Sequence, residues 1–464
     1  MSIERLTAAD QIMLWPDQVW PQDIGAIAVL DGSSLVDPDG RFRIEVVREA
    51  IARRLHLVPR FRQLLYVPPR KLGGPLWVDA PAFDLTDHVR VLPLPAPGDE
   101  AQLLLAVEQL RCRRIDRSRP LWEMWFLPGL EHGRVGMFVR AHHCMADGLA
   151  GVATLGAFLD ATPDAIAMPG LEWTPAPSPS ADDLRADNLV RQKEESAHRL
   201  SMLAHPVSSA RRVLAAWPAV REVVAEAAGP DTSLNRRVGP DRTLAIIRSN
   251  LEPVKDVAHA HDAKVNDVLL TVIAAGLRQL LTSRGERVDG VVIPIFVPVT
   301  LRHGDRSHAR GNQIGQMVVP LPIGESDPLR RLQLIALETA KRKARSRPSV
   351  GKVPHRGIAA RVVLKLMDRQ RVNVESADLQ GPPIPLYLSG ARLLELLPVL
   401  PLIAKVSLGV GALSYAGEFN ITAIADKDAY PDLEVFAAGV QDQLRVLVAS
   451  TAPRPDPERI AEAV

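Results

Sequence analysis

Between Arg134 and Leu159 the chain changes its hydrophobic period in a way that few architectures accommodate. Val135 to Ala141 reads as a strand, and His142-His143-Cys144-Met145-Ala146-Asp147-Gly148 follows it at once. Leu149, Val152, Leu155 and Leu159 then recur at helical spacing. A strand that passes directly into a helix calls for layered packing of sheets and helices. It also leaves two imidazoles at the joint.

Side chains alternate across a strand, so if the strand runs through both histidines, Met137, Val139, Ala141 and His143 share one face. Phe138, Arg140 and His142 share the other. Opposed imidazoles do not converge on one ion, and no further Cys or His cluster supplies the missing ligands, so no metal is expected. For the same reason only one histidine serves as a base. A neutral imidazole, with an ordinary pKa of about 6.5, can take the proton of a hydroxyl that attacks a thioester. That chemistry requires no covalent enzyme intermediate and no cofactor. The bland alternative is a pair of polar residues at a strand end. Asp147 stands just before the helix, where its carboxylate accepts backbone N–H groups as an N-cap and holds the turn.

A length of 464 residues exceeds one ordinary core, and 47% hydrophobic with 24% charged residues is a globular composition. With 56 basic and 54 acidic residues the net charge is +2, which gives no global field toward nucleic acid. Nucleic acid is therefore not an expected partner. Cys112 and Cys144 form at most one bridge, in keeping with a reducing, cytoplasmic location. Met1 to Asp10 lacks the apolar run of a secretory signal. The most apolar later stretch, Leu393 to Val410, is interrupted by Glu395, Pro398, Pro401 and Lys405, which argues against a membrane span.

Three zones follow from the pattern. Residues 1–165 mix helical and strand-like runs as an N-terminal lobe, opened by Thr7-Ala8-Ala9-Asp10, a capping box with Asp in place of the usual Glu or Gln. Residues 166–240 begin rich in Pro, Ser and Ala and turn charged and helix-favouring around Trp217, as a crossover linker with helices. Residues 241–455 form a C-terminal lobe with strands expected at Leu244 to Ile247, Val291 to Val299 and Gln316 to Leu321. The basic run Lys341 to Arg347 closes a helical stretch, where positive charge suits the dipole; contact with phosphate or a lipid headgroup is the alternative.

The string HHxxxDG, His142 to Gly148, resembles the active-site motif of the wax ester synthase/diacylglycerol acyltransferase family, of bifunctional bacterial type. That family is related to chloramphenicol acetyltransferases and to peptide-synthetase condensation domains. Pro120-Leu121-Trp122 resembles its PLW segment, associated with the acyl channel, and Asn266-Asp267 its ND segment. Similar stretches occur at Leu6 to Asp10, Trp77 to His88, Val297 to Arg302, Gly311 to Gly315 and Leu413 to Gly417, so the likeness covers nearly the whole chain.

The resemblance implies an α/β (α+β) fold of two chloramphenicol-acetyltransferase-like lobes with mixed sheets and a tunnel between them. It makes His143 the base, with His142 and Asp147 in support and Asn266 orienting substrate or the oxyanion. Pro120, Leu121, Trp122, Gly148 and Asp267 would stand toward substrate. Read alone, Asn266 is a helix cap before Val268 to Leu281 and Trp122 is plain core. The implied co-substrate is acyl-CoA and the implied acceptor diacylglycerol or a long-chain alcohol, yielding triacylglycerol or wax ester at a membrane or lipid-droplet surface. A carrier-protein-dependent condensation-type transferase and a degenerate lipid-binding protein are the alternatives. One departure stands out: where members carry Asn-Val-Pro-Gly-Pro, Asn373-Val374 is followed by Glu375 to Gln380 before Gly381-Pro382, which predicts an altered or lengthened turn.

Overall fold

The computed structural model describes residues 3–14, 16–18, 20–145, 148–165, 169–204, 229–300, 314–344 and 372–451. Helix α1 (Ala8–Leu14) opens the chain on the expected capping box: the Thr7 hydroxyl donates to Asp10 at 2.6 Å and accepts from the Asp10 N–H at 3.2 Å. The first lobe contributes β1 (Asp23–Asp31), the small hairpin β2 (Gln63–Tyr66) and β3 (Leu76–Asp79), then β4 (Val89–Val91), β5 (Trp122–Leu130) and β6 (Arg134–His142). Helices α2 (Ile44–Arg54), α3 (Glu100–Arg111) and α4 (Gly148–Gly156) lie among them. A long helix, α5 (Ala181–Ala204), occupies part of the expected linker, while Trp217 and its neighbours fall outside the described residues.

The second lobe is a sheet covered by a helical layer. Its strands are β7 (Arg242–Asn250), β8 (Val292–Thr300), β9 (Ile314–Pro322), β10 (Val374–Gln380), β13 (Leu408–Tyr415) and β14 (Glu418–Asp426), in the order β7-β14-β13-β10-β8-β9. β8, β10 and β13 run parallel and their neighbours antiparallel, so the sheet is mixed. Helices α6 (Leu251–Ala260), α7 (Val265–Ser283), α8 (Pro328–Lys343) and α9 (Leu433–Thr451) supply the layer. α7 is apolar nearly all round because it is the core helix: Val268, Leu269, Leu270, Val272, Ile273 and Leu277 have no exposed surface. Among the described residues it is the one helix long and apolar enough to cross a membrane, and most of it is buried inside the protein. It crosses α9 closely where Gly276 meets Gly439; a Cβ at Gly276 would stand 2.8 Å from the Phe436 carbonyl oxygen.

The contiguous three-zone division does not describe the hydrogen bonding. β11 (Tyr387–Leu388) and β12 (Ala391–Val399), placed by sequence in the C-terminal lobe, join the first sheet, whose order is β11-β12-β1-β6-β5-β4. β12 pairs antiparallel with β1 from Gly25↔Val399 to Leu30↔Leu393. The segment read as the most apolar stretch is therefore a crossover that buries Leu393, Leu396, Leu397 and Val399 in the other lobe. It returns to β13 past Gly411, where a Cβ would lie 3.0 Å from the Pro398 ring.

The predicted altered turn after Val374 does not form. Val374–Gln380 is strand in unbroken parallel register with β13, from Val374↔Leu408 to Gln380↔Ser414. Alternation explains it: Val374 buries among the helices, while Leu379 packs toward the first lobe's core.

Candidate active site

β6 ends at His142, and the first turn beyond it is held by the backbone. The His142 N–H donates to the Leu121 carbonyl at 2.9 Å, the His143 N–H to the Gln22 carbonyl at 2.7 Å, and the Met145 N–H to the His142 carbonyl at 2.9 Å. The neighbouring strands β1 and β5 thus grip both histidines just where the ladder runs out. Asp147 lies outside the described residues, as does its expected capping contact; Gly148 begins α4.

The two imidazoles differ in burial. His142 is 3% exposed, its Nδ1 accepts the Cys144 N–H at 3.1 Å, and its Nε2 faces Asp17 Oδ1 at 3.5 Å. A ring nitrogen that accepts carries no proton, so the neutral ring is the Nε2–H tautomer, aimed at a carboxylate. Burial alone would raise the Asp17 carboxyl, but His142, the Gln22 N–H and the charges of His142 and Arg117 together hold it down at about 2. His142 is therefore hydrogen-bonded at Nδ1, while its Nε2 faces Asp17 without a hydrogen bond. His143, the first residue past the strand, is partly exposed, as Val139 and Ala141 are.

Val139 and Ala141 line a cavity of about 420 Å³ between the lobes. Its walls are apolar and come from both: Phe61, Met124, Met145, Leu155 and Phe158 from the first, Leu379 and Leu413 from the second, with Leu396 and Pro398 from the crossover strand. His143 is not itself a lining residue; Ala141 and Met145, two residues to either side, are. A greasy space lined by the residues two positions to either side of His143 can hold an alkyl chain.

Pro120, Leu121 and Trp122 stand one layer back from that space. Leu121 and Trp122 are fully buried, and Leu121 packs with Leu6, Leu65, Trp77 and Cys144 beneath the turn. The Trp122 indole stacks between His88 and Phe61, at 4.7 and 4.5 Å, and donates its N–H to the Phe61 carbonyl at 2.8 Å. Phe61 forms the wall, so Trp122 positions it. Burial lowers the pKa of His88 against its hydrogen bond to the Trp122 carbonyl, so the stack carries a neutral ring. Burial also pushes the Cys144 thiol far up, which removes it as a nucleophile.

The ND segment lies on α7, whose N-cap is Lys264 rather than Asn266; Asn266 sits inside the first turn and is partly exposed. Asp267 is 3% exposed, and its carboxylate accepts the Lys264 N–H at 2.9 Å and the Thr339 hydroxyl at 2.7 Å. The first bond caps α7 and the second ties it to α8. In the basic run, Arg342 is buried, donating to the Val318 carbonyl at 2.7 Å and to Glu338 at 2.5 Å, while Arg345 to Arg347 fall outside the described residues.

Behind the histidines lies a charged cluster that sequence reasoning did not single out. Arg140 is 2% exposed, donates to Glu123 at 2.8 and 3.1 Å and to the Arg113 carbonyl at 2.7 Å, and stands 3.7 Å from Asp23. Arg111 lies 3.5 Å from Asp23, whose strand position pairs with His142. An arginine in the apolar run of β6 was the available signal, since a buried guanidinium demands partners. Among the described residues no three His, Cys, Asp or Glu side chains gather to hold a metal ion.

The Wax ester synthase/diacylglycerol acyltransferase catalytic domain matches residues 6–269, and the WS/DGAT C-terminal domain matches residues 310–448. A probable diacylglycerol O-acyltransferase of Mycobacterium tuberculosis is 31% identical over 93% of this chain and 92% of its own. A putative one of Mycobacterium bovis matches to the same extent. Among solved structures, the wax ester synthase/diacylglycerol acyltransferase of Marinobacter aquaeolei superposes with a TM-score of 0.68 at 20% identity, over 97% of this chain and 100% of that one. The first condensation domain of the calcium-dependent antibiotic synthetase shares the fold at a TM-score of 0.64 and 16% identity, over 97% of each chain. The two-lobed mixed α/β fold is thus that of these proteins, and the chain is an acyltransferase that belongs to the wax ester synthase/diacylglycerol acyltransferase family.

Proposed function

We propose that this chain moves a long acyl group directly from acyl-CoA to the hydroxyl of diacylglycerol or a long-chain alcohol, with His143 as general base. The carrying observation is the contrast of the two histidines: His142 is buried, with its Nδ1 accepting the Cys144 N–H and its Nε2 facing Asp17, while His143 is partly exposed between Ala141 and Met145, which line the apolar cavity. In this reading the acyl chain lies in the cavity and the acceptor hydroxyl meets His143. The imidazole takes the hydroxyl proton as oxygen attacks the thioester carbonyl. The C–S bond then breaks, and the imidazolium returns the proton to the leaving thiolate. Asp147 keeps the turn in shape, and Trp122 supports the cavity wall through Phe61. Asp267 acts on substrate only through the placement of α7, and Asn266, partly exposed in the first turn, is the ND residue left to orient substrate.

Substrates this insoluble put the working enzyme at a membrane or lipid-droplet surface, and exposed Leu189, Val190 and Leu200 on α5 are apolar groups that suit such contact. The test is an acceptor panel with palmitoyl-CoA and no carrier protein, following free thiol release and product identity. Triacylglycerol or wax ester formation is expected; thiol release only when a carrier protein bears the acyl chain would overturn the reading.

A further inference from the structure

The second sheet carries an acid that this chemistry does not use. β10 pairs with β8 only at Val374↔Ile295 and Glu375↔Phe296, while it stays paired with β13 to its end. Glu375 therefore stands where β8 and β10 part. Four residues along, Leu379 shares its face by strand alternation and lines the inter-lobe cavity with Ala141 and Met145. At roughly 3.3 Å per residue the two lie about 13 Å apart on that face. Helix α4, which leads out of the histidine turn, packs against the same strand.

Among the described residues nothing around Glu375 answers its charge. β8, β13 and α4 contain no charged residue. On α7, which also touches β10, Asp267 is taken by Lys264 and Thr339, and Arg278 donates to the Ile323 and Gly324 carbonyls. Asp378 on β10 points to the opposite face by alternation, where Lys343 acts on it. Surrounded by protein, the Glu375 carboxyl is pushed up to about 7 by burial alone. Yet the residue keeps some accessible surface, on the strand face it shares with cavity-lining Leu379. A lone carboxyl in such a place costs stability unless a ligand uses it.

Resting on the acyl-transfer reading, we propose that Glu375 is an acceptor-specificity residue whose carboxyl hydrogen-bonds the ester and hydroxyl head of a glyceride lying between the lobes. A simple alcohol carries no polar group beyond its reacting hydroxyl, whereas a glyceride carries ester carbonyls. A carboxyl that is part protonated near neutral pH donates to a carbonyl and accepts from a hydroxyl. The diphosphate of CoA is a poorer neighbour, since like charges repel.

The experiment compares kcat/KM for diacylglycerol and for hexadecanol, with palmitoyl-CoA, in the wild type, Glu375→Leu and Glu375→Gln. Glu375→Leu is expected to lower the diacylglycerol value about tenfold, the worth of one buried hydrogen bond, and to leave hexadecanol within about twofold. Glu375→Gln keeps most of the preference. In the wild type itself, the ratio of the two activities should change between about pH 6 and 8, where the Glu375 carboxyl changes its protonation, because steps common to both acceptors cancel in the ratio. This arm holds even if a variant does not fold. Equal losses with both acceptors, a raised KM for palmitoyl-CoA with either, or a ratio that ignores both substitution and pH would overturn the proposal and leave the transferase reading standing. No product from either acceptor would overturn both.

Discussion

The two walls of the inter-lobe site answer buried charge in opposite ways. At the end of β6, His142 faces Asp17, and Arg140 is held by Glu123 and a carbonyl while it and Arg111 face Asp23. On β10, burial alone acts on the Glu375 carboxyl, with no charged partner among the described residues. A wall whose charges are already answered holds its groups still; a wall with an unanswered carboxyl has capacity left for a substrate. On the proposed reading, the first sheet preorganises the base and the second is where acceptors are told apart.

The sharpest way to break that contrast is to exchange the histidines' fates. His143→Ala is expected to lower kcat by about 10²- to 10⁴-fold in a variant that still folds, as loss of a general base does. His142→Ala should retain measurable turnover but melt lower, because it orphans the Cys144 N–H and Asp17. Equal losses of activity in two folded variants would count against the asymmetry. Next in size is the charge behind them. Arg140→Met leaves Glu123 ionised and buried, at a cost of about 3–5 kcal/mol, and Arg140→Met with Glu123→Leu should recover part of it. Urea unfolding of the single and double variants measures this; an additive double variant would mean that the pair is not coupled.

How much of this was legible in the sequence divides along the same line. The strand, turn and helix of 134–159 were readable because a period change needs no knowledge of the rest of the chain. The strands β7, β8 and β9 were readable for the same reason. The crossover of β12 was not, since its apolar run fits either lobe and only pairing with β1 decides. Asn266 failed as a cap because the helix begins at Val265, before the apolar run that marks it, and Lys264 takes the N-cap position. Trp122 was weighed as core or channel and is the layer between, a distinction set by what Phe61 does across 61 residues. Read against the family's Asn-Val-Pro-Gly-Pro, the segment places Glu375 in an altered turn, whereas its residues continue a strand paired with β13.

The open wall has its own signature in pH. The pKa of Glu375 is raised in the fold, so the native state holds its proton more tightly than the unfolded chain, whose value is near 4.5. Stability should therefore fall as pH rises from about 4.5 through 7, by at most about 3 kcal/mol. Glu375→Gln should remove that slope and melt higher than the wild type at pH 8, with little difference at pH 5. A variant that gains nothing at high pH would place the carboxyl in contact with a partner after all.

The closed wall should show the opposite sign, and a smaller effect, at Asp17. Its pKa is depressed from 3.8 to about 2: burial opposes ionisation, but the facing His142 imidazole, the Gln22 N–H and the charges of His142 and Arg117 outweigh it. The unfolded chain binds that proton more tightly, so the stabilisation is complete above about pH 4 and is lost as pH falls through 2. It amounts to about 2 kcal/mol. Asp17→Asn keeps an oxygen that can accept from the Gln22 N–H and the His142 Nε2–H, but it gives up the charge facing Arg117, which donates to Asp17 at 2.7 Å. The variant should therefore melt lower than the wild type at pH 7, and the gap should narrow as pH is taken from about 5 toward 3. Turnover should drop only by the share of His142's orientation that depends on charge, well short of the loss at His143. A gap that stays constant over that range would mean that Asp17 acts by shape alone, and the rigidity of the histidine turn would then rest on its backbone bonds to Leu121 and Gln22.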